Sequence, residues 1–325
     1  MPYHGNYYGS LGGEIMGKYI IKRLGMMIFV VLGISFIIFS FLELTPGDAA
    51  EIMAGQNATP EKVAQLREDF DLNKPFFARY FNFIFGAVKG DFGLSYRSRM
   101  PVFSEILEQF PSTLLLAFMA MMVATIIGLP IGIISAVKQY SFLDRTSMIF
   151  AMLFAAIPSF LLGLVLQLIF AVKLKLLPAM GITSWYNYIL PAITLSTFTL
   201  ATLIRMTRST MLEAIRQDYV RTARAKGVAE SSIVMKHVLR NAMLPIITVI
   251  GADFGYLLGG AVVVESVFAM PGIGSLLITS VRAKDTPMVL AIVMFITLAY
   301  SIVNLVVDLS YSMIDPRIRT QYAKR

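Results

Sequence analysis

A carboxylate in the middle of an otherwise uncharged run is the most promising place for chemistry in this sequence. Asp253 is the one charged residue between positions 242 and 264. An ionised side chain at bilayer depth is costly, and those that occur line a water-filled path or meet a ligand. Asp253 is therefore a candidate contact for a substrate amino group. The alternatives are a hydrogen bond within a helix bundle or solvation from a nearby cavity. Glu265 stands at the end of the same run and is a candidate for an outer gate. Gln167 and Ser159 lie in a second apolar run and are weighed as path residues against plain interhelical hydrogen bonding. Thr197, Thr199 and Asn304 are read in the same way, and Asp308 as structural.

The usual reagents of catalysis are missing. With no cysteine there is no thiol nucleophile, disulfide or Cys-built metal site. His4 and His237 are too few for a His-built metal site or a proton relay. Gly12-Gly13-Glu14-Ile15-Met16-Gly17-Lys18 fits the first seven positions of a phosphate-binding loop. The eighth is Tyr19, which lacks the Mg²⁺-binding hydroxyl, and no strand precedes it. ATP chemistry therefore belongs on another chain. No catalytic residue, metal site or cofactor is assigned here.

The elements that must position these residues are membrane helices. The 325 residues are 57% hydrophobic and only 15% charged, with a mean hydropathy of +0.71, against about 25% charged in soluble domains. A helix crosses the hydrocarbon core with about 20 apolar residues. Six runs qualify: 24–42, 110–137, 146–172, 176–204 (its membrane part beginning near Tyr188), 242–264 and 286–307. None alternates like a barrel strand. The first is longer than the apolar core of a signal peptide and is read as a retained helix. Pro130, Pro158, Pro191 and Pro245 are expected to kink their helices.

The net charge of +8 is a topology signal rather than a mark of nucleic-acid binding. With the N-terminus in the cytoplasm, seventeen Lys and Arg fall on the cytoplasmic side and four in the two short outer loops. That is the bias expected of inward-facing loops, and it places both termini inside. The organisation predicted is an all-α membrane protein with a tail over 1–23, a first helix over 24–42, an extracytoplasmic region over 43–109, a five-helix core over 110–311 and a tail over 312–325.

Two connections are more than connectors. In 43–109, Thr59-Pro60-Glu61 reads as an N-cap followed by Pro at the first helical position, leading into Val63, Leu66 and Phe70. Lys89-Gly90-Asp91-Phe92-Gly93 reads as a turn. Phe76, Phe77, Tyr80, Phe81, Phe83 and Phe85 suit an amphipathic cap on the membrane surface, or a lid for an external partner. Asn57-Ala58-Thr59 fits a glycosylation sequon, which carries little meaning in a bacterial protein. The second connection, 207–241, is basic. It predicts one short helix from Asp218 to Lys226 ended by Gly227 in the left-handed conformation, and another from Glu230 to Leu239. On physical grounds alone this loop is a solvated face, a contact for anionic lipid, or a lever that engages another protein.

The run Asp218-Tyr219-Val220-Arg221-Thr222-Ala223-Arg224-Ala225-Lys226-Gly227 resembles the coupling-loop signature of binding-protein-dependent ABC importer permeases, in the branch that includes dipeptide, oligopeptide and nickel permeases. The resemblance continues through His237-Val238-Leu239-Arg240-Asn241-Ala242 to Leu244-Pro245. Thr45-Pro46-Gly47-Asp48, Gly90-Asp91-Phe92-Gly93 with Pro101-Val102, and Gly128-Leu129-Pro130-Ile131-Gly132 match other segments of the family in order. So do Glu265-Ser266-Val267-Phe268 with Pro271-Gly272-Ile273-Gly274, and Asp315-Pro316-Arg317-Ile318-Arg319. Where the wider superfamily has Glu-Ala-Ala, this sequence has Arg221, Thr222 and Ala223, as the peptide-permease branch also lacks that Glu.

The resemblance implies a type I ABC importer permease fold in a bacterial inner membrane. It implies four kinds of partner: a homologous second permease, two cytoplasmic ATPase subunits that carry ATP and Mg, an extracytoplasmic substrate-binding protein and the lipid bilayer. Nucleic acid is not among them. It also implies that the 218–227 helix enters a cleft of an ATPase subunit, with Tyr219 and Val220 as apolar contacts and Arg221, Arg224 and Lys226 as polar ones. The implied cargo is a di- or oligopeptide; the alternatives are nickel or a metal chelate, and a secondary transporter. A secondary transporter predicts buried charge pairs or an inverted repeat, and neither is evident. A scaffold without transport leaves the coupling loop unexplained.

Overall fold

The computed structural model describes residues 7–55 and 58–314, which are helical apart from turns, loops and one isolated bridge between Leu94 and Pro101. Asn57 of the sequon, His4 and the tail motif Asp315–Arg319 lie outside the described residues. The helices are α1 (Tyr7–Leu44), α2 (Ala49–Ala54), α3 (Pro60–Asp69), α4 (Phe76–Val88), α5 (Val102–Val137), α6 (Phe142–Ala156) and α7 (Ser159–Leu166). They continue with α8 (Ile189–Ile215), α9 (Asp218–Ala225), α10 (Glu230–Ser232), α11 (Leu239–Val267), α12 (Ile273–Arg282) and α13 (Thr286–Ile314). Gly12 to Lys18 sit inside α1, an unbroken helix, so the phosphate-loop look-alike has no loop to form.

Five helical stretches are long and apolar enough to cross a membrane: Ile21–Leu44, Val102–Val137, Trp185–Ile215, Glu230–Val267 and Thr286–Leu309. A bent pair makes the sixth. Helix is forced on such segments because hydrocarbon offers no partner for backbone N–H and C=O groups. Large apolar side chains on their outer faces, such as Phe29 and Phe118, are exposed and suit a lipid surrounding.

The third span differs from expectation. The run 146–172 is not one kinked helix: α6 stops at Ala156, α7 starts at Ser159, and the two are bent by 101°. Pro158 disfavours helix for the residue before it and donates no hydrogen bond, and Ile157 is extended with ψ 124°. The chain then runs on as a π-helical turn, Gln167–Lys173. The other predicted kinks fare differently. Pro130 and Pro245 lie within α5 and α11, while Pro191 occupies the first turn of α8, where a missing N–H costs nothing.

Glycines set how closely the helices approach. Gly128 and Gly132, one turn apart on α5, lie against α8; a Cβ at Gly132 would fall 2.6 Å from the Thr207 Cβ. Gly251 and Gly255 do the same for α11 against α13, where a Cβ would meet Val307 at 2.1 Å and Tyr300 at 2.5 Å. Such small-residue seams are a usual device for packing helices in lipid, where van der Waals contact replaces the hydrophobic effect. The pairings also make α11 and α13 antiparallel, and Arg23 of α1 bridges to Asp308 of α13. Arg23 and Asp308 therefore join α1 to the last turns of α13, on the side of the bundle that carries α9.

At the opposite end, α2 to α4 form a cap. Asp48 caps α2 through the Ala50 N–H at 2.8 Å and pairs with Arg67 of α3. Thr59 caps α3 with Pro60 at its first position, as the sequence predicts. In α4 the buried Tyr80 donates to the Leu32 carbonyl at 3.0 Å and meets the Ser35 hydroxyl at 3.0 Å. Phe77, Phe81 and Phe85, at helical spacing on its other face, are exposed, so α4 is amphipathic as expected. Buried Asp285, just before α13, accepts from the Ser95 hydroxyl and the Arg97 N–H and ties this cap to the last helix.

Candidate functional site

The first candidate lies at the basic end of the bundle. Helix α8 runs on past its apolar stretch to Ile215, and the chain turns at Arg216 and Gln217 into α9. The predicted helix and its stop are both present. Gly227 adopts φ 74°, and its N–H donates to the Arg224 carbonyl at 2.9 Å while Val228 N–H reaches Ala223 at 3.2 Å. The second predicted helix is not separate. Residues Glu230–Ser232 pass through a π-helical turn, Ile233–Val238, directly into α11. A movement of α9 is thus coupled through one connection to α8 and through another to α11.

One residue of this helix is corrected. Val220, read with Tyr219 as an apolar contact for a partner, is fully buried in this chain's own core beside Met211, Ile233, Val234 and Val238. It is the peg that seats α9 on the bundle. Tyr219 is 38% exposed and keeps its availability. Asp218 and Arg221 are largely in solvent and face one another at 3.8 Å. Thr222 is tied back to the Asp218 carbonyl at 3.0 Å, and Ala223 packs inward. Arg224 forks onto Glu230 at 2.5 and 3.1 Å, a pairing that holds the guanidinium above its ordinary pKa and braces the turn at Gly227. Lys226 is exposed at the helix end.

The second candidate is the seam between α8 and α11. Asp253 is half-buried there beside Thr199, yet one carboxylate oxygen is sealed from solvent without a hydrogen bond. The Thr199 hydroxyl, wholly buried, and the Thr202 hydroxyl one turn on are equally without partners. Thr199 is thus the bundle's nearest polar group to Asp253, without a hydrogen bond of normal geometry to its buried oxygen. Along the open side of this seam stand Phe198 and Tyr256, their rings 5.3 Å apart and both substantially exposed. The open side of α11 continues at Gly259 into a groove of about 810 Å³ between α1, α11 and α13.

Three other expected path residues sit in different surroundings. Glu265 is not an open gate residue; it is fully buried. It accepts from the Thr113 hydroxyl of α5 at 2.5 Å and from the Gly274 and Ser275 N–H groups at 2.9 and 3.0 Å. The free N–H groups that open α12 need an acceptor, and Glu265 supplies it. Gly272 follows from this, because a Cβ there would lie 2.3 Å from the carboxylate. Gln167 donates to the Ala179 and Val267 carbonyls at 2.6 and 3.3 Å, the interhelical role that was its alternative. Ser159 is partly buried just after the Pro158 elbow.

Sequence reading missed the pairing of Asp144 with Arg208. Asp144 is buried and accepts both arms of the guanidinium, the Ser135 hydroxyl and the Tyr140 N–H. Its partner lies 64 residues away, so no local pattern could reveal it. The Phe198–Tyr256 pair was missed for the same reason.

Comparison with known proteins bears on the chain as a whole. Residues 128–320 match the family described as binding-protein-dependent transport system inner membrane component, and 16–117 match the N-terminal part of such membrane components. The glutathione transport system permease protein GsiC of Escherichia coli (strain K12) is 43% identical over 304 residues, covering 94% of this chain and 99% of its own. GsiC of Shigella dysenteriae serotype 1 (strain Sd197) matches to the same extent. Among solved structures, an inward-facing conformation of the MetNI methionine ABC transporter superposes with a TM-score of 0.57 at 18% identity, over 65% of this chain and 96% of that one, a likeness of fold.

Proposed function

The chain belongs to the binding-protein-dependent transport system inner membrane component family, and from that premise we propose that it forms one half of a transmembrane path for small peptides. It is a multi-pass membrane permease of an ABC importer, a transport subunit rather than an enzyme. Permeases of this kind work with a second permease, ATPase subunits and a substrate-binding protein. In this reading the second permease closes the path over the open seam of α8 and α11. The ATPases act on α9, with Tyr219, Arg221 and Lys226 as the contacts that Val220 and the Arg224–Glu230 pair hold in place. In this reading the α9 end is cytoplasmic, which the distribution of Lys and Arg supports.

The observation that carries the coupling role is the seating of α9. Its apolar side is plugged into the bundle at Val220 while Tyr219 and the cations face outward. A short helix rigidly pegged between the ends of two spans transmits a push; a loose loop would not. Alternating access follows if ATP binding shifts the population of two bundle arrangements. Support for a peptide cargo comes from GsiC, whose named substrate, glutathione, is itself a small peptide. The test is uptake of labelled di- and tripeptides into proteoliposomes holding the complete transporter. Uptake that needs both ATP and the binding protein is expected. Uptake of no peptide, with a metal chelate carried instead, overturns the cargo reading.

A further inference from the structure

The seam between α8 and α11 contains a charge that the bundle leaves unused. Asp253 is the only charged residue between positions 242 and 264, and no cation pairs with it among the described residues. One of its oxygens is buried without a hydrogen bond. A carboxylate at this depth is expensive unless something meets it. The Thr199 hydroxyl, wholly buried, lies within interaction range of the carboxylate, but no hydrogen bond of normal geometry closes between them. Thr202, three residues on along the same side of α8, presents another buried hydroxyl without a partner. An unsatisfied carboxylate oxygen beside an unsatisfied hydroxyl is a high cost for a structural role.

We propose that Asp253 and Thr199, together with the Phe198–Tyr256 ring pair, form a transit site for a primary ammonium group on the transported ligand. This deepens the peptide-path reading and rests on it. A primary ammonium carries three donors and no acceptor. The site offers acceptors in matching number: the two carboxylate oxygens of Asp253 and the Thr199 hydroxyl oxygen, whose own proton is free to turn elsewhere. The rings, one on each helix, 5.3 Å apart and tilted by 41°, stand partly exposed on the open side of the seam. Aromatic faces attract organic cations. They offer no ligand to a hard metal ion, which seeks several oxygens. Among the described residues no group of three or more His, Asp or Glu is placed to hold a metal. The open position of Tyr256 and Phe198 also keeps the site reachable, as transit demands. The consequence is selectivity within the permease itself, in addition to any in the binding protein. A ligand with a free amine satisfies Asp253 as it passes, and a ligand with a blocked amine leaves it unpaired.

The test uses the complete transporter in proteoliposomes and two ligands, a tripeptide and its N-acetyl form, each at a concentration that saturates the binding protein by direct titration. Asp253→Asn is expected to lower transport of the free-amine tripeptide about tenfold or more, the scale of one charge-assisted hydrogen bond. Transport of the N-acetyl form is expected to hold or rise, because that ligand leaves the wild-type carboxylate unpaired, and this also certifies that the variant folds and assembles. Asp253→Glu retains most of the discrimination. Equal effects on both forms, or on neither, overturn the proposal. A second measurement does not depend on peptide transport. The thermal unfolding midpoint of the transporter is expected to rise with n-butylammonium chloride and not with n-butanol, and the rise is expected to be lost in Asp253→Asn. An identical rise with both, or with neither, overturns the site. A rise with butylammonium, lost in Asp253→Asn, in a transporter that carries no peptide removes the peptide reading and leaves the ammonium site standing.

Discussion

The Nε and Nη2 atoms of Arg208 donate to the two carboxylate oxygens of Asp144 at 2.6 and 2.9 Å. This fork joins the start of α6 to the last turns of α8, just before the chain leaves for α9. Asp144 is buried, and the Ser135 hydroxyl of α5 and the Tyr140 N–H complete its set of donors. Three helices are thus pinned at the end from which α9 projects, so a force applied to α9 meets a stiff support.

Removing one partner of that pair should be costly. Arg208→Ala leaves a buried carboxylate without its cation, an effect of about 3–5 kcal/mol in buried pairs. The thermal unfolding midpoint of the purified protein in detergent should drop clearly. The double variant Asp144→Asn with Arg208→Met should recover part of the loss. If Arg208→Ala unfolds at the wild-type temperature, the pair is not a brace.

The peg under α9 gives a second prediction. Val220→Asp places a charge in an apolar socket and should lift α9 from the bundle, while membrane insertion proceeds. Co-purification of the ATPase subunits should fall at least about tenfold. Gly227→Pro should act alike, because proline cannot adopt φ 74° and removes the N–H that meets Arg224. Normal co-purification with either variant would sink the coupling role of this helix.

Glu265 supplies a third test, because a brace and a gate respond differently. Glu265→Ala leaves the Thr113 hydroxyl and the Gly274 and Ser275 N–H groups unpaired, and should destabilise the protein by about 2–5 kcal/mol. Glu265→Gln keeps one acceptor and should retain much of the stability. A gate predicts the reverse pattern, with unchanged stability and altered transport rate in both variants.

The glycine seam between α5 and α8 is checked by a matched pair of substitutions. Gly132→Ala brings a Cβ to 2.6 Å from Thr207 and must separate the helices, at about 1–3 kcal/mol for overpacking. Gly259→Ala meets nothing within 4 Å and should leave the unfolding midpoint nearly unchanged. Equal midpoints for the two variants would show that α5 and α8 are not held at this spacing.

Much of the fold is legible in the sequence, because hydrocarbon imposes a simple rule. Long uncharged runs must be helices, and local punctuation marks their ends. The Thr59–Pro60 start of α3 and the Gly227 stop of α9 were readable because the capping groups are adjacent in sequence to what they cap. The elbow at Pro158 was signalled, but its angle was not, since a proline breaks a helix without choosing where the next one goes. Neighbouring helices make that choice.

What each polar side chain does was settled elsewhere. A buried carboxylate is defined by what reaches it, and for Glu265 and Asp144 those partners come from distant parts of the chain. Sequence showed that Glu265 and Asp253 were anomalous in an apolar stretch and made candidates of both. Only the packing separated them. Glu265 meets the opening N–H groups of α12 and becomes structural, whereas one oxygen of Asp253 stays buried without a hydrogen bond. Val220 shows the same division: its place in the α9 motif was plain from sequence, but whether it faced a partner or its own core depended on the socket made by Met211, Ile233 and Val238. Identity and order of residues fix which groups are expensive to bury; only the three-dimensional arrangement decides which of them are satisfied.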